Sequence, residues 1–308
     1  MNHIKCIKSK DFLSNSDLSK NETIEILDLA KSLKNKEFSL DIGKKVLGLV
    51  FDKASTRTRV SFQVAMSRLG GSTIDLNPGT TQIGRGEPIK DTARVLSRYC
   101  DAIAIRTFSH NDIQDYASWS SIPVINALTD LEHPCQALAD YLTMKEEFGE
   151  FNKICLTFIG DGNNVANSLI ICGAILGVKI KIVCPKGFEP NPNILESAKN
   201  LHPNSSDIII TDDLSDGIKG SNVLYTDVWS SMGQEKNKEL KDDNFKGYTL
   251  DQNVVNSAEK NAIVMHCLPA YRGKEISNEV FEGSKSRIFN QAENRMYAQQ
   301  ALLSVLIK

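Results

Sequence analysis

At 308 residues, and roughly 150 residues per domain, the chain has room for two domains and a core that needs no disulfide or metal staple. Its 36 Lys and Arg offset 38 Asp and Glu to a net charge of −2, which excludes nucleic-acid binding driven by bulk charge. Hydrophobic residues at 41% and charged residues at 24% exclude a disordered chain.

Apolar runs such as Val46 to Phe51 fall far short of the roughly 18 to 20 residues that span a bilayer, so no membrane partner is expected. Met1 to Asp11 alternates Lys with apolar residues and has no secretory-signal core. Seven cysteines without CxxC spacing predict reduced thiols and a cytoplasmic location.

In chain order, Ser19 and Glu22 have capping-box spacing and introduce a helix with Ile26, Leu29, Ala30 and Leu33 on one face. Strands are expected at Val46 to Phe51, Ile103 to Arg106, Val124 to Asn126, Ile154 to Ile159, Ile180 to Cys184, Ile208 to Thr211, Val223 to Val228 and Ile263 to Leu268. Helical patterns at Thr58 to Leu69, Lys90 to Tyr99, Pro134 to Phe148 and Val165 to Leu176 fall between them. Alternating short strands and helices predict an α/β fold of two domains, each a parallel sheet flanked by helices. Gly149 after a helix predicts a boundary between residues 1–149 and 150–293. A final helix at 294–308 is expected to return to the first domain.

Ligands of open parallel sheets sit at the carboxyl ends of strands and at helix N-termini. After the first strand, Ser55-Thr56-Arg57-Thr58-Arg59 enters a helix. Cations there oppose the helix dipole unless an anion such as phosphate joins them. Arg106 closes a buried strand, and His133-Pro134-Cys135-Gln136 opens the long helix with an imidazole and an amide. Taken singly, each has a structural explanation; together they point to one anion- and carbonyl-binding site.

In the second half, Gly160-Asp161-Gly162-Asn163-Asn164 is a poor dinucleotide loop, because Val165 stands at its third glycine position, and it reads as a polar substrate loop. Asp227 ends a strand before Trp229, Ser230, Ser231 and Met232; an ammonium site and a plain capped turn account for it equally well. Cys267 lies in His266-Cys267-Leu268-Pro269, and the scattered Cys and His predict no metal site. Arg295 is expected to begin the last helix with Glu293 as a possible partner, and local pattern leaves open whether it joins the anion site.

The segments FDKASTRTR, HPCQ, GDGNN, DVWSSMG, HCLP and AENR, in this order and spacing, resemble the aspartate/ornithine carbamoyltransferase family along essentially the whole chain. By that resemblance, Ser55, Thr56, Arg57, Thr58, Gln82, Arg106, His133, Gln136, Cys267, Leu268 and Arg295 bind carbamoyl phosphate. Cys267 and the Leu268 carbonyl lie by the reacting amine, and Arg57, Arg106, His133 and Cys267 take part in catalysis. Asn164, Asp227, Ser231 and Met232 hold ornithine. The implied reaction transfers the carbamoyl group to the δ-amine of ornithine, giving citrulline in arginine metabolism without cofactor or metal, with Cys267 or the phosphate taking the proton. Aspartate relatives carry a cation at the position of Asp227 and a Lys in the loop that here runs Gln82 to Glu87, so ornithine is favoured over aspartate as acceptor; putrescine, with no α-carboxylate, would leave Ser231-Met232-Gly233 without a role and is a weaker third. The family also implies a homotrimer in which the loop holding Gln82 completes a neighbour's site.

Overall fold

The computed structural model describes residues 7–307 apart from 54, 78, 80, 83–84, 205–206 and 231–241. Contacts divide it into two units, Met1–Ala139 with Asn294–Lys308, and Asp140–Glu293.

The first unit opens with α1 (Lys20–Lys34), whose N-cap Ser19 exchanges hydrogen bonds with Glu22 as the sequence predicts, a cap worth about 1 kcal/mol. The chain then alternates β1 (Val46–Phe51), α2 (Thr56–Arg68), β2 (Ser72–Leu76), α3 (Ile89–Tyr99), β3 (Ala102–Arg106), α4 (His110–Trp119), β4 (Val124–Leu128) and α5 (Pro134–Phe148). The four strands form one parallel sheet in the order β2-β1-β3-β4. Val50, Ile103 and Ile105 on that sheet pack with Ala93 and Leu96 of α3 and Ile113 and Tyr116 of α4. The apolar 3.6-residue stripe of each helix thereby meets the alternate residues of the strands.

The second unit continues with β5 (Cys155–Ile159), α6 (Asn164–Leu176), β6 (Lys179–Val183), α7 (Pro192–Leu201), β7 (Ile208–Thr211), α8 (Leu214–Ile218), β8 (Val223–Thr226), α9 (Gln252–Ser257), β9 (Ile263–His266) and α10 (Asn278–Glu282). Its parallel sheet has the order β7-β6-β5-β8-β9. From Val165 to Leu176, α6 is buried on every side, which explains why its sequence is apolar all round instead of striped. The units part inside α5, between Ala139 and Asp140, and Gly149, at φ 78°, ends that helix.

The last helix, α11 (Ile288–Leu306), begins six residues before the expected Asn294. Its portion from Asn294 belongs to the first unit, as expected of the last helix. There Lys34 Nζ donates to Asn294 Oδ1 at 2.7 Å, and Arg68 stacks over the Tyr297 ring at 5.2 Å.

Each sheet has a point where its winding reverses. In the first, the chain leaves β1 for β2 on one side and later returns to β3 on the other, so the ends of β1 and β3 lie side by side with Phe51 opposite Arg106. In the second, β5 and β8 flank the reversal, with Ile159 opposite Thr226. Those two places are where an open parallel sheet receives ligands.

Candidate active site

In the first unit, the turn after β1 delivers Ser55 as the N-cap of α2, in extended conformation, yet its hydroxyl makes no capping bond. Arg57 follows in the first turn, exposed and without an ion-pair partner among the described residues. Arg59 has a structural reason to be there: it pairs with Asp75 of β2 and lies over the Phe51 ring at 5.2 Å. Of the two cations in that turn, only Arg57 is left to serve an anion.

Thr58, one residue on, is buried and belongs to a cluster drawn from four segments. Arg295 donates from Nη1 to Gln136 Oε1 and from Nη2 to Thr58 Oγ1 at 3.2 Å. Arg106, at the end of β3, His133, just before α5, and Arg295 are each 5% exposed. Burial first, then the guanidiniums of Arg295 and Arg106, push the His133 imidazole well below its usual range. His133 is therefore neutral at pH 7, able to offer a polarised N–H without adding a third positive charge. Two guanidiniums, a neutral imidazole, an amide and a hydroxyl at one switch point suit an oxyanion joined to a carbonyl.

Arg295 thus joins the buried polar cluster with Thr58 and Gln136, a placement the sequence left open. Its expected place at the start of a helix is corrected: it lies well inside α11, which starts at Ile288, and it is buried where Glu293 is exposed. Gln82 lies on the loop between β2 and α3. It is exposed, and its carbonyl accepts from the N–H groups of Arg85 and Glu87 at 2.9 and 3.3 Å.

In the second unit, the loop from Gly160 to Asn164 turns from β5 into α6. Gly162 is required by close approach: a Cβ there would meet the Glu189 and Pro190 backbone at 2.2 to 2.7 Å. Packing against that backbone accounts for the glycine. Asn163 caps α6, its Oδ1 accepting from the N–H groups of Val165 and Ala166 at 2.9 and 3.1 Å. Its Nδ2 donates to Asp227 Oδ2 at 2.8 Å, and the Cys267 thiol donates to Asp227 Oδ1 at 3.1 Å. The ends of β5, β8 and β9 so converge on one carboxylate that is 6% exposed. Asn164 is the first residue of α6, half-buried, beside this group. Ser231 and Met232 lie outside the described residues.

Burial, then the neighbouring Asp227 carboxylate, raises the Cys267 thiol well above its ordinary range, so it remains protonated at neutral pH. Ligand atoms of Asp227, His266 and Cys267 come within 4.8 Å of one another. Both ring nitrogens of His266 are nevertheless engaged, Nδ1 accepting from the Leu268 N–H at 2.9 Å and Nε2 bonding Glu275 Oε1 at 3.1 Å. The first of these bonds steadies Leu268, which takes the left-handed φ of 62° that a branched side chain rarely adopts.

Sequence reasoning passed over the layer behind these groups. Tyr225 donates to Asp140 Oδ2 at 3.1 Å, Gln291 Nε2 donates to Asp140 Oδ1 at 2.7 Å, and Gln291 Oε1 accepts from the His266 N–H at 2.9 Å. This buried network fixes the ends of β8 and β9. A polar residue inside an apolar strand, as Tyr225 is, was the available signal.

The carbamoyl-phosphate-binding domain of the aspartate/ornithine carbamoyltransferases matches residues 10–146, and the aspartate/ornithine-binding domain of the same proteins matches residues 152–306. The chain belongs to the aspartate/ornithine carbamoyltransferase family. Ornithine carbamoyltransferase of Prochlorococcus marinus (strain MIT 9312) is 65% identical over 98% of both chains. Ornithine carbamoyltransferase of Nostoc sp. (strain PCC 7120) is 52% identical over 97% of both. Among solved structures, the Pyrococcus furiosus ornithine carbamoyltransferase is 41% identical and superposes with a TM-score of 0.94 over 98% of both chains. That of Gloeobacter violaceus is 45% identical with a TM-score of 0.88, over 97% of this chain and 99% of its own.

Proposed function

We propose that this chain transfers the carbamoyl group of carbamoyl phosphate to the δ-amine of L-ornithine, giving L-citrulline and phosphate. The observation that carries the reading is the buried cluster of Thr58, Arg106, neutral His133, Gln136 and Arg295 at the switch point of the first sheet. Arg57, with the hydroxyls of Ser55 and Thr56, takes the phosphate at the start of α2. Arg106, His133 and Gln136 polarise the carbamoyl carbonyl. Asp227 with Asn164 holds the α-ammonium of the amino acid, and Ser231 and Met232 hold its carboxylate. Cys267 and the Leu268 carbonyl lie by the δ-amine.

The lone pair of the neutral δ-amine attacks the carbamoyl carbon, and the tetrahedral oxyanion is stabilised by the donors that polarised the carbonyl. The carbon–oxygen bond to phosphate then breaks, and phosphate leaves with the bonding pair. Free δ-amines resemble lysine, with a pKa of about 10.4, so neighbouring cations such as Arg57 favour the neutral form. A thiol held protonated does not accept the proton the nitrogen sheds, which assigns that role to the departing phosphate.

Aspartate and ornithine both offer an α-ammonium to Asp227, but the second carboxylate of aspartate is repelled by that charge and ornithine has none, so ornithine is favoured. The enzyme acts as a homotrimer, each subunit lending the loop around Gln82 to the next, and it works in a reducing cytoplasm, consistent with six free cysteines among the described residues. No described helix is long and apolar enough to cross a membrane. Initial rates with carbamoyl phosphate and ornithine, aspartate or putrescine as acceptor test the reading. Ornithine should exceed the others in kcat/KM by at least about a hundredfold, a transition-state difference of about 2.7 kcal/mol. Equal rates with putrescine would remove the role given to the α-ammonium site.

A further inference from the structure

Asn163 makes three hydrogen bonds that together fix its side chain. Its Oδ1 accepts from the N–H groups of Val165 and Ala166, as an N-cap does, and this settles which way round the amide lies. The NH2 group is then left facing the Asp227 carboxylate, where it donates to Oδ2 at 2.8 Å. On the other oxygen, Oδ1, the donor is Cys267. A carboxylate held at both oxygens has no freedom to rotate, while each oxygen keeps a second lone pair for an incoming donor. An N-cap alone needs only an acceptor, and serine or aspartate supplies one as well as asparagine does. Serine and threonine cap through one short hydroxyl, whereas asparagine alone among the good caps carries its donor on a second atom at the end of the side chain, and here that donor is spent on a carboxylate 64 residues away in the chain.

We propose that Asn163 is a positioning residue for ornithine: it ties the start of α6 to Asp227 and so sets the carboxylate and Asn164 in one rigid ammonium-binding geometry. The inference rests on the reading of Asp227 as the group that binds the α-ammonium. Asn163 itself touches no substrate; its effect passes through the orientation of Asp227 and through the placement of Asn164 at the first helical position. A subsite built on secondary-structure ends and locked by a supporting hydrogen bond loses affinity when that bond goes, although no contact to the ligand has been removed.

The substitution Asn163→Ser separates the two jobs, because the hydroxyl still caps α6 but no donor reaches Asp227. The expected result is an ornithine KM raised about tenfold, equivalent to about 1.4 kcal/mol, with norvaline inhibition weakened in parallel. The KM for carbamoyl phosphate, kcat at saturating ornithine and the melting temperature should stay near those of the unaltered enzyme. Asn163→Asp is the companion variant. It keeps both shape and cap but sets one carboxylate against another, so the ornithine KM should rise further. Asp227→Asn, measured alongside, reports on the underlying reading. An unaltered ornithine KM in Asn163→Ser or in Asn163→Asp, with Asp227→Asn impaired, makes Asn163 a cap and nothing more, and overturns the proposal. If Asp227→Asn itself leaves ornithine binding unchanged, the ammonium site is elsewhere and the proposal falls with it.

Discussion

Replacing Arg57 by alanine separates stability from chemistry more cleanly than any other change in the first unit. The side chain is exposed, has no ion-pair partner among the described residues, and sits in the first turn of α2, where the helix dipole disfavours a cation by about 0.3–1 kcal/mol. Alanine also has the higher helix propensity. Stability should therefore be unchanged or gain up to about 1 kcal/mol, which in a chain of this size raises the melting temperature by no more than about 2–4 °C. Turnover should move the other way. Removing one preorganised donor from a developing oxyanion or leaving phosphate costs about 2.7–4 kcal/mol, or roughly 100- to 1,000-fold in rate. Thermal unfolding followed by circular dichroism and the rate of citrulline formation, measured on one preparation, give both quantities. Near-normal turnover in Arg57→Ala would remove Arg57 from the chemistry. Activity lost together with the fold would show the residue to be structural, against its exposed setting.

Asp227→Asn should raise the ornithine KM by about 10- to 150-fold through loss of a charge-assisted hydrogen bond of about 1.5–3 kcal/mol, while calorimetric binding of carbamoyl phosphate stays unchanged. An equal loss for both ligands would make Asp227 structural. The depressed pKa of His133 makes a prediction about acid stability. Above the unfolded value of about 6.5 the imidazole is neutral in both states, and below it the unfolded chain takes up a proton that the folded protein refuses, so stability declines as the pH falls from there. In His133→Gln, unfolding between pH 5 and 7 should lose that contribution to the slope; an unchanged slope would contradict the buried, neutral assignment. Mixed trimers of Arg57→Gly and Gln82→Ala proteins, each nearly inactive alone, should recover activity where an intact loop meets an intact site. A fully active monomer in sedimentation, or hybrids without recovery, would refute the shared site.

The buried strands were legible because their sequences are apolar runs bounded by turn residues, and Ile208–Thr211 and Val46–Phe51 lie where the pattern puts them. Strand β2 escaped notice for a physical reason: at the sheet edge, Ser72 to Leu76 is largely exposed and has no apolar run to read. The periodic stripe of α11 begins at Ala298, whereas its first turns are held by Ile288, buried in the second unit's core, so the helix starts earlier than its periodicity indicates. Within the site, Arg106, His133 and Gln136 were visible as polar groups at the ends of apolar elements. Contacts such as those of Arg295 with Thr58 and Gln136, or of Asn163 with Asp227, join residues far apart in sequence. No local pattern encodes them. Arg59 shows the converse, a cation whose partner Asp75 lies on a strand the sequence did not reveal.

The proposed reaction forms one carbon–nitrogen bond, between the carbamoyl carbon and the δ-nitrogen of ornithine. Nuclear magnetic resonance of a reaction between 13C-carbamoyl phosphate and ornithine labelled with 15N at the δ-position observes that bond directly. The expected spectrum has the citrulline carbon split by one-bond coupling to 15N, with one phosphate released for each carbamoyl group transferred. Phosphate release without the coupled signal, or an uncoupled carbamoyl product on the α-nitrogen, would contradict it.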